Sequence, residues 1–141
     1  MDIPTLLAQT PLLAGIDGPA LATLAERSVV CSFRSGQTVF NIGALADCLY
    51  IVGIGRLRVD NADGSLRGEV GLHECVGEIA TLGNRMHSGH VYAVRDSYLL
   101  RIDRSVLLDF VQRHPAALLR LTQVIIDRLQ DRKSTRLNSS H

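Results

Sequence analysis

This sequence of 141 residues lacks the features that mark several large classes of protein. It has no surplus of one charge, because 15 basic residues are balanced by 14 acidic ones, whereas nucleic-acid-binding domains usually carry a basic excess. No apolar run reaches the roughly 18 residues that a membrane-spanning helix needs. The N-terminus also lacks the basic start of a secretory signal. These absences predict one cytoplasmic domain with no transmembrane segment and no direct nucleic-acid contact.

Paired cysteines and nucleophile motifs are missing as well. The three cysteines, Cys31, Cys48 and Cys75, form no C-x-x-C pair, so we expect reduced and mostly buried thiols. The sequence contains no G-x-S-x-G, no H-E-x-x-H and no P-loop lysine pattern. His87 and His90 alone do not make a metal site. We therefore predict neither catalytic residues nor a metal, and the chain is interpreted as a non-enzymatic domain.

The last ten residues differ in composition from everything before them. Residues 132–141 are polar, have no hydrophobic period, and contain three basic residues, no acid and the only lysine of the chain. Such a segment is typical of translated adapter sequence. We expect residues 132–141 to be a non-native or disordered tail, and the natural protein to continue past residue 131.

The hydrophobic period changes twice along the remaining chain. Residues 1–28 predict short helices, residues 29–103 about eight short strands, and residues 104–131 two helices. Turn signals every 8–12 residues, such as the Asn-Ala-Asp-Gly of residues 61–64, are typical of a sandwich or barrel.

The two C-terminal helices are predicted in more detail. Asp103 is predicted to cap the first of them, and His114-Pro115 separates it from the second. The second helix has apolar residues on two faces, so it packs either between layers or on the barrel together with a homodimer partner; packing on its own barrel alone is an equal alternative. One face holds Leu118, Leu121, Ile125 and Leu129, and the other holds Leu119 and Ile126.

One segment interrupts the strand pattern and contains candidate binding residues. Residues 77–83 predict one or two helical turns bounded by glycines. A helix start presents unpaired N–H groups to a phosphate, and Gly77 lets a ligand approach the backbone closely. Glu78 is suited to accept hydrogen bonds from sugar hydroxyls, and Ser88 to donate one to a phosphate oxygen.

These residues, together with others along the chain, make residues 12–131 resemble a cyclic nucleotide-binding domain. The resemblance rests on four stretches: residues 33–40, Gly43 with 47–52, residues 53–59, and residues 76–82. It implies an eight-stranded antiparallel β-roll, or jelly roll, with flanking helices. Residues 94–102 and the His114-Pro115 helix break make the chain most similar to the N-terminal domains of bacterial patatin-like phospholipases.

The resemblance also implies roles for individual residues. Glu78 would accept from the ribose 2′-hydroxyl, and the amides of Gly77, Glu78, Ile79 and Ala80 would lie near the ribose-phosphate. The family pattern then expects Arg, a hydroxyl residue, Ala and a second hydroxyl residue. This chain has His87, Ser88, Gly89 and His90. An imidazole cannot fork to two phosphate oxygens and is mostly neutral at pH 7, so Arg85 is a second candidate for the charge.

The predicted function is a regulatory module that binds cAMP or cGMP, with no further cofactor. It would relay binding through the C-terminal helices to a downstream effector domain. Two alternatives stay open. In one, the pocket is degenerate and the domain acts only in interaction or dimerisation. In the other, the chain is the effector domain of a catabolite-activator-type transcription regulator.

Overall fold

The computed structural model describes the backbone of residues 1–139 and the side chains of residues 1–130. The chain begins with helix α1 (Ile3–Gln9), a 3₁₀ turn (Pro11–Leu13) and helix α2 (Gly18–Glu26). An aspartate caps each helix: the side chain of Asp2 accepts from the Thr5 amide, and that of Asp17 accepts from the Ala20 amide, both at 3.2 Å. A proline in each first turn supports the same start, since its fixed φ suits that position.

Eight strands follow, and they form two four-stranded antiparallel sheets. The first sheet has the order β1-β8-β3-β6, and the second has the order β2-β7-β4-β5. The predicted β-roll with flanking helices is therefore confirmed. The strands are β1 (Val29–Phe33), β2 (Thr38–Phe40), β3 (Cys48–Ile54), β4 (Leu57–Asp60), β5 (Leu66–Val70), β6 (Cys75–Val76), β7 (His90–Ala93) and β8 (Ser97–Asp103).

The first sheet lies between two layers, which explains why β3 is buried from Cys48 to Val52 without alternation. Successive side chains of a strand point to opposite faces. Leu49 and Ile51 pack with the helices, whereas Cys48, Tyr50 and Val52 pack with residues of the second sheet. The core thus has one part between helices and sheet and another part between the two sheets.

Within residues 1–139 the structure has three further helices: α3 (Glu78–Leu82), α4 (Arg104–Arg113) and α5 (Pro115–Ser139). The predicted break at His114-Pro115 separates α4 from α5. Asp103 occupies the N-cap position of α4, as predicted, but its side chain makes no cap hydrogen bond and instead accepts from Arg101 Nε at 2.7 Å. The neighbouring arginine on the same strand satisfies that carboxylate.

The buried face of α5 differs from the predicted one. Ala117 and Leu121 are buried, and Val124 packs against the same apolar cluster. Leu118 and Leu129, predicted to share a face with Leu121, are each about half exposed at 49% and 47%. The buried face is therefore centred on Ala117, Leu121 and Val124 and is rotated away from the predicted leucine face.

Helix α5 extends beyond residue 131, where the sequence pattern ended it. The side chains of residues 131–141, and residues 140–141 altogether, lie outside the described part of the chain. The non-native origin predicted for residues 132–141 therefore stays a prediction. None of the helices within residues 1–139 combines the length and apolar character that crossing a bilayer requires.

The three cysteines are unpaired thiols, as predicted. Cys48 and Cys75 are buried and Cys31 is partly exposed. Burial raises the pKa of Cys48 to about 11 and also raises that of Cys75. Both thiols are therefore protonated at neutral pH, which makes them poor nucleophiles.

Candidate functional site

A cavity of about 620 Å³ opens between the second sheet, α3 and α5. This size lies within the range of small-molecule sites. Its wall includes all six residues predicted to bind ligand, namely Gly77, Glu78, Ile79, Ala80, His87 and Ser88. It also includes four charged residues that the sequence analysis did not assign to the site or left as an alternative: Arg67, Glu69, Arg85 and Arg128.

The start of α3 requires glycine at position 77. Gly77 has a φ of +87°, a conformation that side chains disfavour. A Cβ there would lie 2.9 Å from Cε2 of Phe40 and 3.3 Å from the carbonyl oxygen of Cys48. The hydroxyl of buried Thr81 donates to that same carbonyl at 2.8 Å. These contacts hold the first turn of α3 against β3 at the cavity wall.

Glu78 presents a buried carboxylate to this cavity. Its residue exposure is only 3%. Oε1 accepts a hydrogen bond from Nη1 of Arg128, which comes from α5, fifty residues later in the chain. Oε2 is buried and has no hydrogen-bond partner within the described part of the chain. One carboxylate oxygen is therefore used by α5, and the other is left for a donor from elsewhere.

Arg128 contacts the cavity floor as well as Glu78. Its Nη1 donates to the carbonyl oxygen of Cys75 at 3.3 Å, and Nη2 lies 3.7 Å from Cys75 Sγ. Burial lowers the pKa of Arg128, but the adjacent Cys75 and Glu78 together raise it more, so the net shift is upward. The guanidinium therefore stays charged and joins α5 to β6 and α3.

His87 is an uncharged, stacked part of the wall. It is 7% exposed, and its ring lies 3.7 Å from that of Phe40 between centroids, at an interplanar angle of 25°. Burial lowers the pKa of His87, partly opposed by the charge of Asp47. The imidazole is thus neutral at pH 7. Its Nε2 is buried and has no partner among the described residues.

Ser88 has a cationic partner that sequence reasoning missed. Arg67, on β5, donates from Nη1 to Ser88 Oγ at 2.9 Å and from Nη2 to the Ser88 carbonyl at 3.0 Å. Its Nε donates to Oδ1 of Asn61 at 2.8 Å. The pairing of β5 with β4, and of β4 with β7, brings Arg67 close to Ser88. Only a strand register, which composition and period do not give, could have revealed this contact.

Arg85, the other predicted source of charge, is anchored through its backbone. Its amide donates to the Ala80 carbonyl at 2.9 Å, and its carbonyl accepts from the Ala46 amide at 3.1 Å. The residue therefore lies on the cavity wall just after α3. Among the residues that the structure describes, no group of three or more ligating side chains could hold a metal ion.

The family model of the cyclic nucleotide-binding domain matches residues 30–114. This chain belongs to that family. The matched range contains both sheets except the first residue of β1, together with α3, residues 85–89 of the cavity wall, and α4. The cyclic nucleotide-binding domain identified here is thus a regulatory module by family.

The chain is similar to proteins of two kinds. The chain is 33% identical over 101 residues to Lysophospholipase NTE1 of Chaetomium globosum, covering 69% of this chain and 7% of that relative. It is 32% identical over 100 residues to mouse Patatin-like phospholipase domain-containing protein 7, covering 68% and 7%. The Thermus thermophilus Catabolite Activator Protein matches in structure with a TM-score of 0.82 at 24% identity, covering 93% of this chain and 63% of that one.

These comparisons support the predicted resemblance and leave its details open. The chain spans about 7% of the length of the two curated relatives named above. Those relatives are fungal and murine, so the predicted bacterial origin stays a prediction. The likeness to the catabolite activator shows the fold alone. The cavity gathers all six predicted binding residues, and their roles toward a ligand remain predictions.

Proposed function

We propose that this cyclic nucleotide-binding domain binds cAMP or cGMP in the cavity beside α3 and relays the binding through α5. One observation carries the proposal: Oε2 of Glu78 is buried in the cavity wall and has no hydrogen-bond partner among the side chains of residues 1–130 or the described backbone. A buried carboxylate oxygen without a hydrogen bond is costly, and a ligand hydroxyl would remove that cost. The 2′-hydroxyl of a ribose is a donor of this kind.

The other parts of the site suit a ribose-phosphate. The backbone around Gly77, Glu78, Ile79 and Ala80 forms the first turn of a helix, where N–H groups lack partners inside the helix. Ser88 adds a hydroxyl on the same cavity wall. Amides and a hydroxyl recognise phosphate oxygens, whereas the carboxylate of Glu78 recognises the sugar. The ribose and the cyclic phosphate of the nucleotide thus both meet complementary groups.

A second candidate function is favoured by His87. A neutral histidine where the family pattern has arginine removes one charge-assisted pair, which typically costs ~2–5 kcal/mol, or roughly 30- to 3,000-fold in affinity. If no other group supplies that charge, the cavity is a degenerate site and the domain acts through its helices alone. A homodimer through α5 belongs to this second candidate.

The link between α5 and the site supports a relay to an effector. Arg128 of α5 pairs with Glu78, so a ligand that engages Glu78 changes the contacts that hold α5. Binding then favours one arrangement of α5 over another. By likeness to the phospholipase relatives, we propose a patatin-like phospholipase as the downstream effector. A transcription regulator of the catabolite-activator type is the alternative.

Calorimetric titration of the full 141-residue chain with cAMP and with cGMP tests the proposal. We expect saturable binding of at least one of them, and loss of that binding in Glu78→Gln. Glu26→Gln is the matched control, because Glu26 is an exposed acid on α2, away from the cavity. Absence of binding at millimolar concentrations of both nucleotides would overturn the proposal in favour of the degenerate site.

A further inference from the structure

The cavity needs a positive charge for a cyclic phosphate, and the residue at the expected position, His87, does not supply one. We propose that Arg67 of β5, in the second sheet, supplies this charge. The inference rests on the proposed function, since it names the residue that binds the phosphate of that ligand. It changes the source of the charge from the α3 loop to the second sheet.

The geometry of Arg67 is that of a fork aimed at the phosphate-binding position. Two of its nitrogens meet the two oxygens of Ser88, Nη1 with Oγ at 2.9 Å and Nη2 with the carbonyl at 3.0 Å. Ser88 is the residue whose hydroxyl would donate to the phosphate. A guanidinium that already bonds two oxygens of Ser88 would lie beside an anion bound by the Ser88 hydroxyl. Its two-nitrogen fork suits bidentate binding of phosphate.

Arg67 is also positioned independently of Ser88. Its Nε donates to Oδ1 of Asn61 at 2.8 Å, and the Asn61 amide Nδ2 donates to Ser65 Oγ at 3.0 Å within the β4–β5 turn. The guanidinium can therefore exchange the oxygens of Ser88 for those of a phosphate while Nε stays anchored. Such a held side chain loses little conformational freedom on binding.

Position 89 supports the same assignment. A Cβ on Gly89 would lie 3.0 Å from Arg67 Nη1, 3.1 Å from the Asp60 carbonyl and 3.1 Å from Val59 Cγ1. Any side chain there would press on the guanidinium. The family pattern has alanine at this position and arginine at position 87. This chain departs from both, and the two departures together remove one arginine and make room for another.

The remaining cations of the cavity wall fit the role less well. Arg128 is paired with Glu78 and contacts Cys75, at the sugar end of the proposed site. Arg85 lies on the wall, but no hydrogen bond joins its side chain to Ser88 in the described structure. Arg67 is the cation whose contacts are with the phosphate-binding residue itself.

The test compares Arg67→Gln with wild type by calorimetry of the full chain, using cAMP, cGMP and adenosine as probes. Adenosine has the base and ribose but no phosphate. In Arg67→Gln we expect cyclic nucleotide affinity to fall about 10- to 100-fold, the effect of losing a hydrogen-bonded charge, with adenosine affinity unchanged. Arg67→Lys keeps the charge without the fork and should recover part of the loss.

Two further variants sharpen the result. Arg58→Gln is the matched control, because Arg58 lies on the adjacent strand β4, pairs with Asp60 at 2.7 Å and is not part of the cavity wall. Gly89→Ala crowds Arg67 without removing any charge and should also weaken cyclic nucleotide binding selectively. If thermal unfolding shows that Arg67→Gln does not fold, the cyclic nucleotide affinity of Gly89→Ala tests the role of Arg67 instead.

The possible failures are distinguishable. If wild type binds none of the three probes, the proposed function falls, and the role of Arg67 falls with it. If wild type binds cAMP or cGMP and neither Arg67→Gln nor Gly89→Ala weakens that binding, only the role of Arg67 is overturned. Adenosine binding as tight as cyclic nucleotide binding in wild type also overturns it, because the phosphate then contributes nothing.

Discussion

Glu78 and Arg128 should be energetically coupled, because their ion pair lies inside a mostly buried site. The pair joins two elements that are far apart in sequence. Glu78 is 3% exposed, whereas the side chain of Arg128 is 34% exposed. Removing one partner of a fully buried pair costs ~3–5 kcal/mol, since it leaves the other charge uncompensated. Water reaches the guanidinium here, so we expect a smaller loss of about 1–3 kcal/mol for Arg128→Met.

A double-mutant cycle measures that coupling directly. Arg128→Met keeps the apolar stem and removes the charge, and Glu78→Gln keeps the shape of the carboxyl. Urea unfolding of wild type, both single variants and the double variant gives four free energies of unfolding. Because the double variant leaves no buried charge unpaired, we expect it to be more stable than the two single losses predict, by at least about 1 kcal/mol.

The matched control is the ion pair between Arg27, the residue that follows α2, and Asp109 of α4. Its atoms Nη1 and Oδ2 are 2.6 Å apart, and its side chains are 46% and 34% exposed. Surface pairs of this kind contribute ~0–1 kcal/mol. If the single losses at Glu78 and Arg128 add to within about 0.5 kcal/mol, or if the surface pair couples as strongly, burial is not the cause and the reasoning is refuted.

Three further predictions concern the walls of the cavity, and urea unfolding checks each of them. Burial lowers the pKa of His87, so on acidification the unfolded chain binds a proton at this histidine before the folded chain does. The free energy of unfolding should therefore fall as pH drops below about 6.5, and the same pH series on His87→Phe should lack this component. Gly77→Ala should cost about 1–3 kcal/mol more than Gly64→Ala, since both glycines have positive φ but only the first has crowded surroundings; equal losses would contradict this. Thr81→Val should lower the free energy of unfolding by ~1–3 kcal/mol, because it breaks a buried hydrogen bond. The exposed control Thr23→Val should change it by no more than ~0.5 kcal/mol; similar values for both would show that burial does not matter here.

The fold could be predicted because its signals are local. The turn at residues 61–64 and the change from period 3.6 to period 2 near Val29 are both read within a few residues, and the structure has the corresponding hairpin and first strand there. The two-residue strand β6 has no such signal. It exists because Cys75 and Val76 pair with Ile51 and Tyr50 of β3, a contact across some 25 residues of chain.

The candidate site was predictable only where it is continuous in sequence. Gly77 to Ala80 could be recognised from one segment, and the structure places them together on the cavity wall. Arg67 and Arg128 could not, because each reaches the site through strand pairing or helix docking. Arg67 resembles any polar strand residue in sequence, and Arg128 resembles any exposed arginine on an amphipathic helix. Their partners are visible only after the chain has folded.

Helix α5 is held by two kinds of contact at different points along its length. Ala117, Leu121 and Val124 pack into the apolar cluster under the first sheet, and that contact responds little to salt. Further along, Arg128 is held by an ion pair and hydrogen bonds, which salt or a competing polar group weakens. Anything that loosens the helix therefore releases its far part first. We therefore expect α5 to swing about the region near Val124, beyond which each helical residue adds about 1.5 Å to its length.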